Sequence, residues 1–164
     1  MRFFLLGLAA GSLFLFLMIG SGFGSRTGQP ILFNHKKHVE QGMECITCHP
    51  YFKEQNFSGL PTIQICLECH KEPVTKSPEE EKIRQFFREK KEIPWKRIYE
   101  QPDHVFFSHR RHVVLGKLPC QTCHGEIGQS ERPPVKPWVK MTMKRCMDCH
   151  ARNKVTNDCL ACHV

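Results

Sequence analysis

Hydrophobic positions are distributed unevenly along the chain, and one long apolar run stands at the amino terminus. Residues 3–23 contain no charged side chain. A helix of this length, at about 1.5 Å per residue, spans roughly 31 Å, the thickness of a bilayer's hydrocarbon core. A cleaved signal peptide usually has a shorter apolar region and an Ala-x-Ala-like site. No alanine site follows this run, so we expect residues 1–24 to be a retained transmembrane anchor and residues 25–30 a short tether.

Beyond residue 30, the apolar positions show one strong helical pattern, and strand signals are weak. Ser77 suits a helix N-cap, Pro78 the first helical position, and Glu80 the reciprocal site of a capping box. An apolar stripe at helical spacing follows, formed by Ile83, Phe86 and Phe87. We predict a solvated linker helix over residues 77–92. A docking helix for a partner subunit is the alternative interpretation.

The cysteines change this picture because all ten fall into five Cys-x-x-Cys pairs, each followed directly by histidine. Cys-x-x-Cys-His is the attachment signature of c-type haem, in which the two thiols form thioethers and the histidine becomes the proximal iron ligand. Five covalent haems are therefore predicted. The attachment residues are Cys45, Cys48, Cys66, Cys69, Cys120, Cys123, Cys146, Cys149, Cys159 and Cys162. The proximal histidines are His49, His70, His124, His150 and His163.

Zinc and disulfides are the competing interpretations of these motifs. Structural zinc takes four ligands, so Cys-x-x-Cys motifs commonly pair, and five motifs leave one unpaired. A disulfide framework does not explain a histidine after every second cysteine. Haem also accounts for the short chain, since the porphyrin faces would supply the core that so few residues cannot build.

The predicted haems also change the interpretation of the basic net charge. The formal net charge is +8, and +6 remains for residues 31–164 once Arg2 and Arg26 are set aside. Five oxidised haems with ionised propionates would bring the protein near +1, so the basic side chains are better interpreted as counterions for propionates. Nucleic-acid binding is not supported.

Five histidines lie outside the motifs, which equals the number of distal ligands that five haems require: His35, His38, His104, His109 and His112. Four of them form two pairs with a spacing of three, His35 with His38 and His109 with His112. The two members of such a pair share a helix face with an angular offset, so they can reach two different irons. We assign His35 to the Cys45–Cys48 haem and His109 to the Cys120–Cys123 haem, His38 and His112 to other haems, and His104 to the Cys66–Cys69 haem.

Methionines are the alternative sixth ligands and would raise the potential. We interpret Met43, Met141, Met143 and Met147 as packing residues because enough histidines are present. A haem with histidine on both faces has no open site. The sequence therefore predicts electron transfer at low potential, without a substrate site of its own.

The histidine pairs belong to a repeat. The stretch FNHKKHVEQGMECITCH (33–49) recurs as FSHRRHVVLGKLPCQTCH (107–124) with one inserted residue, which aligns Gly42 with Gly116. Downstream, TIQICLECH (62–70) matches TMKRCMDCH (142–150). We predict a mostly irregular pentahaem domain with short α-helices over residues 31–164, built from a module at 31–76 and a module at 102–164 that includes the fifth motif.

The Phe-x-His-x-x-His arrangement before Cys-x-x-Cys-His resembles the class III multihaem cytochromes of low potential. The longer pattern, from IPWKRIYEQPDHVFFSHRRHV (93–113) to the terminal DCLACH, is similar to the multihaem subunit of alternative complex III and of the related menaquinone reductase complex. Five haems match the former better than the latter, which carries six. The resemblance implies an iron–sulfur, molybdopterin-enzyme-like partner subunit, polytopic quinone-binding subunits and a further cytochrome c.

Haem attachment of this type occurs outside the cytoplasmic membrane. The expected location is therefore the inner membrane, crossed once, with the haem domain on the periplasmic face. Three functions compete: an electron-transfer subunit of a quinol-oxidising respiratory or photosynthetic complex, a self-sufficient anchored quinol dehydrogenase, and a soluble periplasmic shuttle released by signal cleavage. The first is preferred because the tether offers no quinone pocket.

Overall fold

The structure, a computed structural model, describes residues 28–163. The predicted anchor, at residues 1–24, lies outside the described residues. Within them, the α-helices are α1 (His35–Glu40), α2 (Cys45–Cys48), α3 (Ile63–His70), α4 (Pro78–Arg88), α5 (Gln121–His124) and α6 (Met143–Arg152). Short 3-10 turns occupy Pro50–Lys53, Ile127–Gln129 and Cys159–Ala161, and a π-helix occupies Arg110–Leu115.

This architecture confirms one part of the predicted fold class, a mostly irregular chain with short helices. Between residues 28 and 163 there is no strand, although one isolated bridge pairs Val105 with His163. In the same range, no helix combines the length and the apolar character needed to cross a membrane.

Helix α4 begins at the predicted position but is shorter than predicted. The Ser77 hydroxyl accepts the Glu79 N–H at 3.3 Å, and Pro78 is the first helical residue. The helix ends at Arg88 instead of residue 92, because Lys90 takes a left-handed conformation with φ of 52°. A left-handed residue cannot continue a right-handed helix.

The predicted capping box does not close at this helix. The Ser77 N–H donates to the hydroxyl of Thr75 at 3.1 Å. The Glu80 carboxylate turns further back and accepts the N–H groups of Val74 at 2.8 Å and Thr75 at 3.0 Å. Glu80 therefore orders the turn before the helix, at the end of the second Cys-x-x-Cys-His motif.

The buried apolar core is small and lies where α3 packs against α4. Its members are Ile31, Ile63, Leu67, Ile83 and Ile93, with Cys66, Phe86 and Trp95 packed partly against it. In residues 102–163 the buried side chains are two serines, Ser108 and Ser130. Apolar packing within the chain therefore does little to stabilise that second half, which supports the prediction that cofactor faces complete the interior.

The two halves of the chain, residues 28–101 and 102–163, contact each other around the histidine-bearing helices. The turn Pro50–Lys53, after the first motif, packs against the π-helix, and the turn Ile127–Gln129, after the third, packs against α1. The Lys36 N–H of α1 also donates to the Ser130 carbonyl at 3.1 Å. Each histidine-bearing helix is thus held by the opposite half.

The π-helix explains how the second stretch accommodates its extra residue. In the first stretch, Gly42 is left-handed with φ of 81°. In the second, Gly116 has φ of −79°, and the left-handed residue is Lys117, with φ of 53°. The structural equivalent of Gly42 is therefore Lys117, not the Gly116 predicted by alignment.

Hydrogen bonds support this correction. The Met43 N–H donates to the His38 carbonyl at 3.2 Å, and the Leu118 N–H donates to the His112 carbonyl at 3.1 Å. These two bonds close a five-residue and a six-residue span, respectively. The inserted residue is absorbed in the wider turn, because a π-helix accommodates one residue more per hydrogen-bonded ring than an α-helix.

Candidate functional site: five histidine pairs beside the cysteine motifs

All five Cys-x-x-Cys-His motifs lie on helical turns. The second and fourth motifs end α3 and lie within α6. In the other three, the histidine N–H donates to the carbonyl of the first cysteine at 2.9 Å: His49 to Cys45, His124 to Cys120 and His163 to Cys159. A single turn therefore presents both thiols and the imidazole of each motif together.

Five of the ten thiols are buried enough for their pKa to be raised. No two of the ten cysteines are joined by a disulfide. Burial raises the pKa of the Cys66 thiol to about 11, and burial also raises the pKa of Cys48, Cys120, Cys123 and Cys146. Nowhere in residues 28–163 do three or more His, Cys, Asp or Glu side chains form a group that could hold a metal ion.

Four proximal histidines have a second histidine ring opposite them. The ring centres are 6.2 Å apart for His38 and His70, 6.4 Å for His109 and His124, 6.1 Å for His112 and His150, and 5.6 Å for His104 and His163. Two metal–imidazole bonds of about 2 Å each, with roughly 1 Å from each nitrogen to its ring centre, require about 6 Å. These pairs therefore fit an iron held between two imidazoles.

The two remaining histidines are His35 and His49, and the second influences the first electrostatically. Burial, followed by the electrostatic influence of His49 and His38, lowers the pKa of His35 to about 4. Burial, followed by His109 and His49, also lowers the pKa of His124. His35 and His124 are thus neutral near pH 7, the state that a metal ligand requires.

His104 lies elsewhere than predicted. We expected it beside His70, at the second motif, but its ring stacks on His163 of the fifth motif with an angle of 16°. The Phe106 N–H donates to the Cys162 carbonyl at 2.8 Å, which brings the segment before the π-helix against the end of the chain. His38 faces His70 instead.

Most histidines are oriented through Nδ1. This nitrogen lies 2.7–2.8 Å from a backbone carbonyl in five of them: His38 with Asn34, His49 with Gly59, His109 with Asn56, His112 with Ser108 and His150 with Thr156. A carbonyl only accepts, so Nδ1 carries the hydrogen and Nε2 is free to bind a metal.

One of these contacts, and a further one to a hydroxyl, cross between the halves. His109 Nδ1 donates to the Asn56 carbonyl, which follows the first motif. His35 Nδ1 lies 3.1 Å from the hydroxyl of Ser130, which follows the third motif and itself donates to the Ile127 carbonyl at 2.8 Å. The first histidine of each stretch is therefore oriented by the other half of the chain.

An aromatic ring supports both histidine stretches in the same way. Phe33 stacks on His38 with ring centres 4.3 Å apart and meets His35 edge-on at 4.8 Å. Phe107 stacks on its second histidine at 4.8 Å and meets its first edge-on at 4.9 Å. The phenylalanine before each pair thus holds both imidazoles.

Sequence reasoning missed the orienting groups. Asn56 acts through its backbone carbonyl, which carries no sequence signal. Ser130 is an ordinary serine in a loop, although its 4% exposure identifies it once the fold is known. Met143 and Met147, which we weighed as ligands, are 67% and 44% exposed.

Comparison with known proteins gives matches over both halves. Residues 21–99 match the class III cytochrome c family, and residues 105–164 match the family of cytochrome c7 and related cytochromes c. The chain is also 36% identical to the menaquinone reductase multihaem cytochrome c subunit of Nitratidesulfovibrio vulgaris, strain Hildenborough. That alignment covers 85% of this chain and 77% of the relative.

Proposed function

Because this chain belongs to the family of multihaem c-type cytochromes, we propose that it is a five-haem electron-transfer subunit of a membrane complex that reacts with quinones. The observation that carries this proposal is the pairing of histidines across from the proximal ones. The relative whose alignment covers 85% of this chain is named as a subunit of menaquinone reductase. Both observations favour electron transfer over catalysis by this chain itself.

Each haem would be held by one motif and one further histidine. The proposed axial pairs are His35 with His49, His38 with His70, His109 with His124, His112 with His150 and His104 with His163. A haem in such a pair supplies a one-electron couple and leaves no coordination position for a substrate. The chain's part is to attach each cofactor, direct Nε2 at its iron and exclude other ligands.

The internal repeat is part of this proposal. The module at residues 31–76 would hold two haems, and the module at 102–164 would hold two equivalent haems and the fifth, at the carboxyl terminus. In both, the first histidine of the pair serves the first haem and the second reaches the next haem along. The equal phenylalanine contacts at the two stretches support this arrangement.

We further propose that the uncharged residues 3–23 anchor the protein in the inner membrane, with the haems on the periplasmic face. Partners would include an iron–sulfur, molybdopterin-enzyme-like subunit, polytopic quinone-binding subunits and a further cytochrome c. The complex would be of the menaquinone reductase or alternative complex III kind. A self-sufficient quinol dehydrogenase and a soluble shuttle are the competing functions.

Purification from native membranes tests the proposal at two levels. The intact mass should show five haem additions, and the reduced protein should not bind carbon monoxide because every iron carries two histidines. Co-purifying subunits would identify the complex. Fewer than five haems would show that at least one motif does not attach haem. A carbon monoxide adduct that forms readily would indicate an open coordination site. Isolation as a soluble monomer would favour the shuttle.

A further inference from the structure

Glu80 is a buried carboxylate that electron transfer, as proposed above, leaves without a role. It is 6% exposed and lies in the first turn of α4. Its oxygens accept the Val74 N–H at 2.8 Å, the Thr75 N–H at 3.0 Å and the Thr75 hydroxyl at 2.5 Å. Burial raises the pKa of Glu80, but the hydrogen bonds from Thr75 and Val74 and the nearby His70 outweigh it and lower the pKa to about 2. The group is therefore an anion.

This anion faces the proximal histidine of the second motif. Glu80 Oε2 lies 3.7 Å from His70 Nδ1, slightly beyond hydrogen-bond distance. That nitrogen is buried and has no hydrogen-bond partner among residues 28–163. The two side chains are 17% and 8% exposed, so water screens the interaction weakly. A buried N–H without an acceptor destabilises the folded protein, and the Glu80 carboxylate lies 3.7 Å from this nitrogen.

His70 differs in this respect from the histidines described above. Five of those direct Nδ1 at a backbone carbonyl, which is a neutral acceptor. The ring opposite His70, that of His38, is one of the five. An iron between His38 and His70 would therefore have a carboxylate behind one ligand and a neutral carbonyl dipole behind the other, although the Arg84 guanidinium lies 3.9 Å from the same carboxylate and offsets part of its charge.

We propose that Glu80 is a positioning residue for His70, which holds Nε2 toward the iron and lowers the reduction potential of the Cys66–Cys69 haem. The inference rests on the proposed function, in which His38 and His70 are the axial ligands of that haem. An anion beside Nδ1 favours the hydrogen on that nitrogen and makes the imidazole a stronger donor. It also stabilises the more positively charged ferric state, so reduction becomes less favourable. This haem is then set apart in potential from haems whose histidines meet carbonyls.

The variant Glu80→Gln tests this directly, because it keeps the size and an acceptor oxygen but removes the charge. A potentiometric titration of the haem-loaded full chain, followed by absorbance, should show one haem with a raised potential. We expect about a tenfold change in its reduction equilibrium, which corresponds to about 59 mV for one electron. The haem is identified by His38→Met, since methionine at the sixth position raises the potential of the same haem.

The matched control is Glu81→Gln, which removes the same charge at the next residue. Glu81 is 53% exposed at its side chain and pairs with Arg88 at 2.7 Å and with Arg84 at 2.8 Å, and Arg84 also lies 3.9 Å from Glu80. Water screens an exposed charge, so all potentials should stay close to those of the unchanged protein. An equal shift in both variants would show a general charge effect and overturn the proposal.

The remaining outcomes are distinguishable from a failure of the proposed function. If the unchanged protein carries fewer than five haems by mass, the proposed function fails before the variant is considered. If Glu80→Gln carries all its haems and no potential moves, Glu80 has no such role. Should Glu80→Gln lose the haem, Glu80→Asp keeps the charge one methylene further away. Glu80→Asp should raise the potential of the same haem by less than about 59 mV, and an unchanged potential would overturn the inference.

Discussion

At the scale of the residue, the role of each histidine depends on what its two ring nitrogens meet. His112 shows both: Nδ1 lies 2.8 Å from the Ser108 carbonyl, and its ring centre lies 6.1 Å from that of His150. The first contact selects the tautomer that leaves Nε2 unprotonated. The second leaves room for one metal between two imidazoles. Together they make His112 the proposed distal ligand of the Cys146–Cys149 haem.

Replacing this ligand should open one coordination position. In His112→Ala the ferrous protein should bind about one equivalent of carbon monoxide per chain, because the iron retains a single histidine. The change in absorbance on adding carbon monoxide measures it. The control is Arg111→Ala, on the same helix, whose guanidinium lies 5.5 Å from the ring centre of Phe106. If His112→Ala binds no more carbon monoxide than Arg111→Ala, the assignment is wrong.

At the scale of the element, the two histidine-bearing helices end in the same kind of turn but reach it with different backbone conformations. Each must present two imidazoles and then turn sharply toward a cysteine motif. The turn requires a left-handed residue, which is Gly42 in the first stretch and Lys117 in the second. Lysine pays about 1–2 kcal/mol for this conformation, whereas glycine does not.

Exchanging the residue types at these positions should therefore have opposite effects. Gly42→Ala should lower the free energy of unfolding by about 1 kcal/mol, and Lys117→Gly should raise it by about 0.5–1 kcal/mol. Denaturant unfolding of the haem-loaded protein measures both. Gly28→Ala is the control, since a Cβ there meets nothing within 4 Å. Stabilisation by Gly42→Ala, or clear destabilisation by Lys117→Gly, would contradict the structural equivalence.

At the scale of the whole molecule, the halves depend on each other through the groups that orient their histidines. Ser130, from the second half, is 4% exposed and contacts His35 of the first half. Ser130→Ala should lower the free energy of unfolding by about 1 kcal/mol, because a buried hydrogen bond is lost. Its measurement is again denaturant unfolding of the haem-loaded protein.

The control for Ser130 is the exposed ion pair between the same segments. Lys36 Nζ lies 3.1 Å from Glu131 Oε1, with the side chains 38% and 69% exposed. Lys36→Gln should change stability less than Ser130→Ala does, because solvent screens an exposed pair. The opposite ranking would show that the surface charges, and not the buried hydroxyl, join the two halves.

The membrane prediction also belongs to the whole molecule. Amino-terminal sequencing of the protein from native membranes should find the run at residues 3–23 retained, because no alanine cleavage site follows it. Gly7 with Gly11, or Gly20 with Gly24, would then allow close packing on helices of another subunit. A terminus near Ser25, together with release of the protein by a salt wash, would contradict the anchor.

The amino-acid sequence by itself determined that this is a multihaem c-type cytochrome with short helices in a mostly irregular chain. Attachment of a haem needs two thiols and an imidazole within five consecutive residues, so the whole chemical requirement is visible locally. The start of α4 was equally local, because Ser77 and Pro78 act within one turn. The same pattern misled at Glu80, whose carboxylate found donors in Val74 and Thr75 instead of the helix cap.

Only the tertiary structure decided which histidines face each other and what stands behind them. His104 was predicted for the second motif but stacks on His163, 59 positions along the chain. Ser130 reaches His35 across 95 positions, and His109 meets a backbone carbonyl across 53. Such contacts depend on how distant segments pack and, at Asn56, on a carbonyl that every residue possesses. Residue type and spacing therefore predict the candidate ligands, whereas their pairing and orientation arise from packing between the halves.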